Sequence, residues 1–284
     1  MKIFGKTIAL LSAAIVAAVI LAGCAGQKPV EDPIAYGFGQ YPVTQTMTVA
    51  VTVDGSGRIV EIDVVQAETD GWGTEMVEPF VQSVLAGNNF GQFVIDAQAG
   101  VTRTKWALAA AGQEAASRAP GYTVVWPKPV QAMVQEPTLG AGDASAVVVS
   151  LLVGADGRIL DGFGSNPDGH GVGPLQNAFN GQSISFSVRG NPSPPIRVSV
   201  SEGLIQTAIQ RQRFDAADLG PVFDGIGNSF RQAIAGYDRA AATGSSAEQL
   251  DAFLAAANAA ADKFSAQALA AFISAGNAAL QQAR

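Results

Sequence analysis

Very little in this chain can cross-link, ligate a metal or carry general acid–base work near neutral pH. Its 284 residues include one cysteine, Cys24, and one histidine, His170. A single cysteine leaves no intrachain disulfide and no cysteine-ligated metal. A single histidine removes most hydrolytic mechanisms, because any Ser-His-Asp or Cys-His arrangement would have to use it and no nucleophile elbow is recognisable. No set of His, Asp and Glu has metal-ligand spacing. Basic residues are outnumbered, 17 Lys and Arg against 24 Asp and Glu, for a formal net charge of −7, and they are nowhere clustered. That balance excludes nucleic acid, whose binding requires a basic face. The hydrophobic fraction of 48% is swollen by alanine and by the first residues, so it does not describe a multispan membrane protein. The length suffices for two modest domains with a core in each.

What is present begins with an apolar leader. Lys2 and Lys6 precede an apolar run from Ile8 to Leu21, closed by Leu21-Ala22-Gly23-Cys24. The pattern is a secretory signal peptide, and its end resembles the lipobox of bacterial lipoproteins. The resemblance implies a signal peptide over 1–23, lipidation of Cys24 and attachment to the extracytoplasmic face of a membrane. An uncleaved anchor helix is the alternative. Residues 24–43, with Gly, Pro and Tyr, are expected as a tether.

From Thr44 to Val53 polar and apolar residues alternate, the period of a half-buried strand. Asp54-Gly55-Ser56-Gly57 is a hairpin signal, and Arg58 to Val65 is the returning strand. Met76, Val77, Phe80 and Val84 have helical spacing over 75–85, and Gly87 ends that helix. A short strand is expected over Phe93, Val94 and Ile95, then a helix from about Arg103 to Ala116, with Trp106 in the core. This unit, 44–119, predicts an antiparallel sheet covered by helices, an α+β arrangement.

The junction Asp96-Ala97-Gln98-Ala99-Gly100-Val101-Thr102-Arg103-Thr104 enters the second of those helices. First-turn N–H groups have no intrahelical partner and the macrodipole adds partial positive charge, so an anion suits the place. Thr102 supplies a hydroxyl there, and Arg103 and Lys105 supply cations. The plainer alternative is a turn with Thr102 as N-cap.

This segment resembles the flavinylation motif of the FMN-binding domain family, Asp-x-x-Ser/Thr-Gly-Ala-Thr. That family includes the C and G subunits of the sodium-pumping NADH:quinone reductase and of its ferredoxin-linked relative, and extracellular flavin carriers. Asp96, Gly100 and Thr102 match; Ala99 stands for the Ser/Thr and Val101 for the Ala. Glu68-Thr69-Asp70-Gly71-Trp72-Gly73 is similar to the family's Glu-Thr-Pro-Gly-Leu-Gly loop, which lies against the isoalloxazine, with Asp70 for Pro and Trp72 for Leu. The resemblance implies FMN joined by a phosphoester to Thr102, a flavin transferase that attaches it, and a redox partner protein at the membrane. Asp96, Ala99, Gly100, Val101, Arg103 and Thr104 would surround the phosphate. Glu68, Thr69, Gly71, Trp72 and Gly73 would face the ring.

Residues 120–145, with Pro127, Pro129 and Pro137, are expected as a connector. A second copy is then expected over 146–212. Val147 to Val153, Gly154-Ala155-Asp156-Gly157 and Arg158-Ile159-Leu160 repeat the earlier strand, turn and strand, and Asp168-Gly169-His170-Gly171 falls where Asp70 to Gly73 fell. At the acceptor position only Ser201-Glu202-Gly203 precedes a helix over 205–212, so the second copy is expected without covalent flavin. Beyond it, 213–284 predicts a helical hairpin, with Val222, Ile226, Phe230, Ile234 and Tyr237 at helical spacing and a capping box from Ser246 to Gln249 opening the next helix. The expectation is thus two tandem sheet-plus-helix repeats and C-terminal helices, carrying electrons on FMN. The alternatives are a binding lipoprotein without flavin and a flavin-dependent reductase.

Overall fold

The computed structural model describes residues 34–41, 45–66, 76–97, 102–137, 146–165, 200–242 and 244–284. Strand β1 (Ile34–Tyr41), β2 (Gln45–Val53) and β3 (Ile59–Gln66) form one antiparallel sheet in the order β1-β2-β3. Helices α1 (Val77–Gly87), α2 (Phe90–Asp96) and α3 (Thr102–Arg118) follow. A second antiparallel sheet orders β4 (Lys128–Gln135), β5 (Ala146–Val153) and β6 (Ile159–Ser165) as β4-β5-β6. Helices α4 (Ser201–Arg211), α5 (Ala216–Ala235), α6 (Ala247–Ala261) and α7 (Ala266–Ala283) complete the chain. Among the described residues the architecture is α+β, with two three-stranded sheets and a helical C-terminal stretch. No helix among the described residues is long and apolar enough to cross a membrane.

The hairpins form as the turn chemistry requires. Asp54 Oδ1 accepts the N–H groups of Ser56 (2.8 Å) and Arg58 (3.0 Å), and Gly57 takes φ +82°. In the second hairpin Asp156 Oδ1 accepts Arg158 N–H at 3.1 Å and Gly157 takes φ +79°. That left-handed region penalises any residue with a Cβ. Alternation along β2 sends Met47, Val49, Val51 and Val53 into the core.

Besides the helical hairpin expected over 213–284, which is three helices, α5, α6 and α7, three expectations change. Residues 34–41, expected in the tether, are a strand paired with β2 from Ile34↔Thr52 to Tyr41↔Gln45. Within the expected connector, 128–135 is β4, paired with β5 along its whole length. Both are edge strands, where proline and glycine are tolerated. The third change is at Phe93, Val94 and Ile95, which lie in a helix, α2, instead of a strand. Asn89 caps it, its side-chain oxygen accepting the N–H groups of Gly91 and Gln92. A cap of that kind satisfies donors that a strand would have sent to a ladder.

Helix α3 is the centre of the molecule. It packs on β1 and β2 with one face and on β4 with another, and is buried on nearly every side from Trp106 to Ala116. A helix apolar all round belongs in a core. β1 lies against it so closely that a Cβ on Gly37 would overlap the backbone of Ala111 and Ala115. Beyond it, β5 is buried at every residue. Val147, Val149, Leu151 and Val153 join the core under the C-terminal helices, whereas Leu152 joins the core of α2 and α3.

The two halves repeat in detail. Asn88 ends α1 in the left-handed conformation (φ 51°), and its Oδ1 accepts the Ile59 N–H at 2.8 Å. Gln212 ends α4 at φ 58°, and its Oε1 accepts the Ile159 N–H at 2.7 Å. The match makes α4 the counterpart of α1. α7, which packs on β4 and β5, is then the counterpart of α3, so the second copy runs on to α7 and does not end at 212 as expected. Gly112 of α3 sits under the Phe90 ring and Gly276 of α7 under the Phe214 ring.

Candidate flavin-attachment site

The motif from Asp96 to Thr104 joins the end of one helix to the start of another. Helix α2 stops at Asp96, and Ala97 is extended at φ −65°, ψ 138°. Helix α3 starts at Thr102. Gln98, Ala99, Gly100 and Val101 lie outside the described residues, as do Glu68 to Gly73, His170 and Cys24. The side chains of Thr102 and Arg103 are likewise not described, but both residues occupy the first turn of α3.

That turn carries no acidic residue, and the helix behind it runs for 17 residues. Its unpaired N–H groups and the positive end of the dipole are therefore not neutralised by a neighbouring carboxylate on the same turn. A phosphate fits such a place.

Two of the expected helpers are committed elsewhere. Lys105 Nζ donates to the Val94 carbonyl oxygen at 3.0 Å, satisfying one of the carbonyls left open at the end of α2. The amine is half-buried, and burial pushes its pKa down while Asp161 acts against that shift. Asp96 is exposed and accepts from Gln92 Nε2 at 2.8 Å, one turn back on α2. Thr104 is 2% exposed, and Trp106 is 2% exposed in the core, as its place one turn into the helix suggested. Of the two threonines in the first turn, Thr104 is thus enclosed by protein.

The link between Lys105 and Val94 spans two helices, and no pattern in the sequence reads it. A positional signal for the second half was also misplaced. Ser201 opens α4, the counterpart of α1, so it does not correspond to the acceptor position. The residue before α7 is Ser265, whose side chain accepts the Ala268 N–H as an ordinary N-cap.

Comparison with family models, with curated proteins and with solved structures finds no match to this chain.

Proposed function

We propose that the protein is an extracytoplasmic, lipid-anchored carrier of FMN that passes electrons between a membrane or surface reductase and another acceptor. Thr102 is the attachment residue. The observation that carries this is the start of α3: a long helix opens at Thr102 with no carboxylate in its first turn, while Thr104 is enclosed. FMN supplies the redox chemistry, and the protein supplies orientation and surroundings. Asp96, Ala99, Gly100, Val101 and Arg103 frame the phosphate, and Glu68, Thr69, Gly71, Trp72 and Gly73 face the ring. The implied partners are a flavin transferase and a redox protein at the membrane, with Cys24 as the lipid attachment point. A tethered cofactor keeps a fixed effective concentration where a free one would be diluted away.

The test is co-expression with a flavin transferase, followed by flavin fluorescence after denaturing electrophoresis and peptide mass spectrometry. Thr102→Val abolishes the signal, Thr104→Val leaves it, and Ala99→Ser, which restores the family residue, raises the modified fraction. FMN on Thr104 would overturn the assignment. Modification of no residue would favour the second reading, a binding lipoprotein without flavin, which the departures at Ala99 and Val101 support.

A further inference from the structure

The outward face of the first sheet is laid out differently from its counterpart in the second. On the sheet of β4, β5 and β6, the face turned away from the C-terminal helices carries Val148, Ser150 and Leu152, all buried, and Phe163 opposite Ser150. Helices α2 and α3 lie on it, and a Cβ on Gly91 of α2 would touch the Leu152 side chain. The strand registers put Thr48, Ala50 and Thr52 of β2, and Asp63 of β3, at the equivalent places on the first sheet. The apolar centre that receives helices in the second half is thus replaced in the first by hydroxyls, one alanine and a carboxylate. The large apolar side chains of that face stand on β1 instead. Ile34, Tyr36 and Phe38 are 52%, 49% and 49% exposed, while Ala35 and Gly37 between them turn to the α3 side.

The surroundings of that row restrict what can cover it. Glu61 and Asp63 are exposed on β3, none of the three strands contains Lys or Arg, and Arg118 beside Phe38 is already paired with Glu114. A second copy laid face to face would therefore bury carboxylates without a cation. A helix layer like the one on the second sheet would meet Asp63 where it there meets Phe163. A narrow apolar row at one edge, with the other edge kept wet, suits a shallow contact with a lipid surface. Aromatic residues gather at that depth, and Tyr can keep its hydroxyl among the headgroups. Chain connection points the same way. Ile34 is the tenth residue after Cys24, and that length of extended chain reaches about 35 Å. Stable membrane attachment generally takes two signals, and an apolar row joined so closely to a lipidated cysteine would be the second.

We propose that the β1 edge of the first sheet rests on a zwitterionic phospholipid surface, with Ile34, Tyr36 and Phe38 entering the boundary of headgroups and acyl chains and Glu61 and Asp63 turned to water. This contact depends on the lipid anchor at Cys24 and not on flavin. The full chain, purified from the membrane fraction, is placed in phosphatidylcholine nanodiscs with and without bromine on the upper acyl chain. Phe38→Trp loses at least about half of the emission it adds to the wild type when the lipid is brominated, because an interfacial apolar face sits about 5–10 Å into that boundary. Leu160→Trp, exposed on the second sheet, keeps its emission. Tyr36→Trp, on the same row, repeats the reading should Phe38→Trp disturb the fold. Peptide mass at Cys24 reads the anchor separately. Lipid on Cys24 with Phe38→Trp and Tyr36→Trp both unquenched overturns the contact and leaves the anchor, whereas Cys24 without lipid overturns the anchor and the contact that rests on it. A blue-shifted Phe38→Trp emission that bromine does not quench would show the row covered by protein, a partner or a second copy, and would also overturn the contact.

Discussion

The Gln212 side chain holds Ile159 from both ends of its peptide unit: Oε1 accepts the Ile159 N–H at 2.7 Å and Nε2 donates to the Ile159 carbonyl oxygen at 3.0 Å. Nε2 also reaches the Ile209 carbonyl oxygen at 2.6 Å. In the first half Asn88 makes the first of these bonds to Ile59. Each residue therefore stops a helix and pins the first residue of the neighbouring strand.

Asn88→Ala removes the acceptor from a buried N–H and places an alanine at φ 51°. The left-handed conformation costs roughly 1–2 kcal/mol and the unmet donor about 1–3 kcal/mol, so the variant loses about 2–5 kcal/mol. Asn88→Gly relieves the backbone and keeps only the second loss. Gln212→Ala costs at least as much as Asn88→Ala, because it breaks more bonds. Urea denaturation separates the three, and equal midpoints for Asn88→Gly and Asn88→Ala would show that the backbone conformation contributes nothing.

Gly112 and Gly276 are mid-helix glycines, where alanine normally stabilises by about 1 kcal/mol. Here a Cβ would overlap the rings of Phe90 and Phe214, and Phe90 is fully buried. Overpacking of this kind costs about 1–3 kcal/mol. Gly112→Ala and Gly276→Ala are therefore destabilising despite their higher helix propensity. Alanine at Gly225 of α5, whose Cβ would meet nothing, has the opposite sign. Thermal unfolding of the three variants reads the signs directly.

The hairpins were legible in the sequence because Asp and Gly at a tight turn act locally. The edge strands were not. β1 reads Ile-Ala-Tyr-Gly-Phe-Gly-Gln-Tyr, and the glycine that makes it look like a tether is there because α3 packs on Gly37. The run at Phe93 to Ile95 is too short for periodicity to separate helix from strand, and the decisive signal was the Asn89 cap. The equivalence of α3 and α7 rests on Gly112 under Phe90 and Gly276 under Phe214, a relation between faces that no linear motif expresses. At the candidate site Thr102 could be placed at a helix start, but the commitment of Lys105 to Val94 could not.

Acid should weaken the fold through two named carboxylates. Asp54 is held below its ordinary value of 3.8 chiefly by the Ser56 hydroxyl, then by the Arg58 N–H. Asp218 is held below 3.8 chiefly by its bond to Arg213, at 2.6 Å. A depressed folded pKa means that the unfolded chain takes up protons first as pH falls. The stabilisation is complete well above 3.8 and is lost as pH drops through the lower folded values. Asp54→Asn and Asp218→Asn therefore lower stability at neutral pH yet flatten its fall below pH 4, which urea midpoints across the acid range record. An undiminished acid slope in the double variant would assign acid unfolding to other groups.

The outer edge of β1 is closed by one ion pair. Glu114 Oε2 accepts the Phe38 N–H at 2.6 Å, Arg118 Nη1 donates to the Tyr36 carbonyl oxygen at 2.8 Å, and the two side chains bond each other one turn apart on α3. Arg118 also lies 5.7 Å from the Phe38 ring centroid. An uncovered edge strand is a template for pairing with another chain, and Ile34, Tyr36 and Phe38 are all exposed along this one. Both members of the pair are partly solvated, so as an ion pair it contributes only about 0–1 kcal/mol to folding. Its larger effect is to occupy main-chain groups that a second strand would use. The double variant Glu114→Ala with Arg118→Ala is thus expected to keep its melting temperature within a few degrees while associating with rising concentration in sedimentation velocity. Glu114→Gln with Arg118 retained keeps an acceptor for the Phe38 N–H and remains monodisperse. A double variant that melts much earlier would instead make the pair a folding contact, and one that stays monodisperse at every concentration would show that the edge is protected by something other than these two side chains.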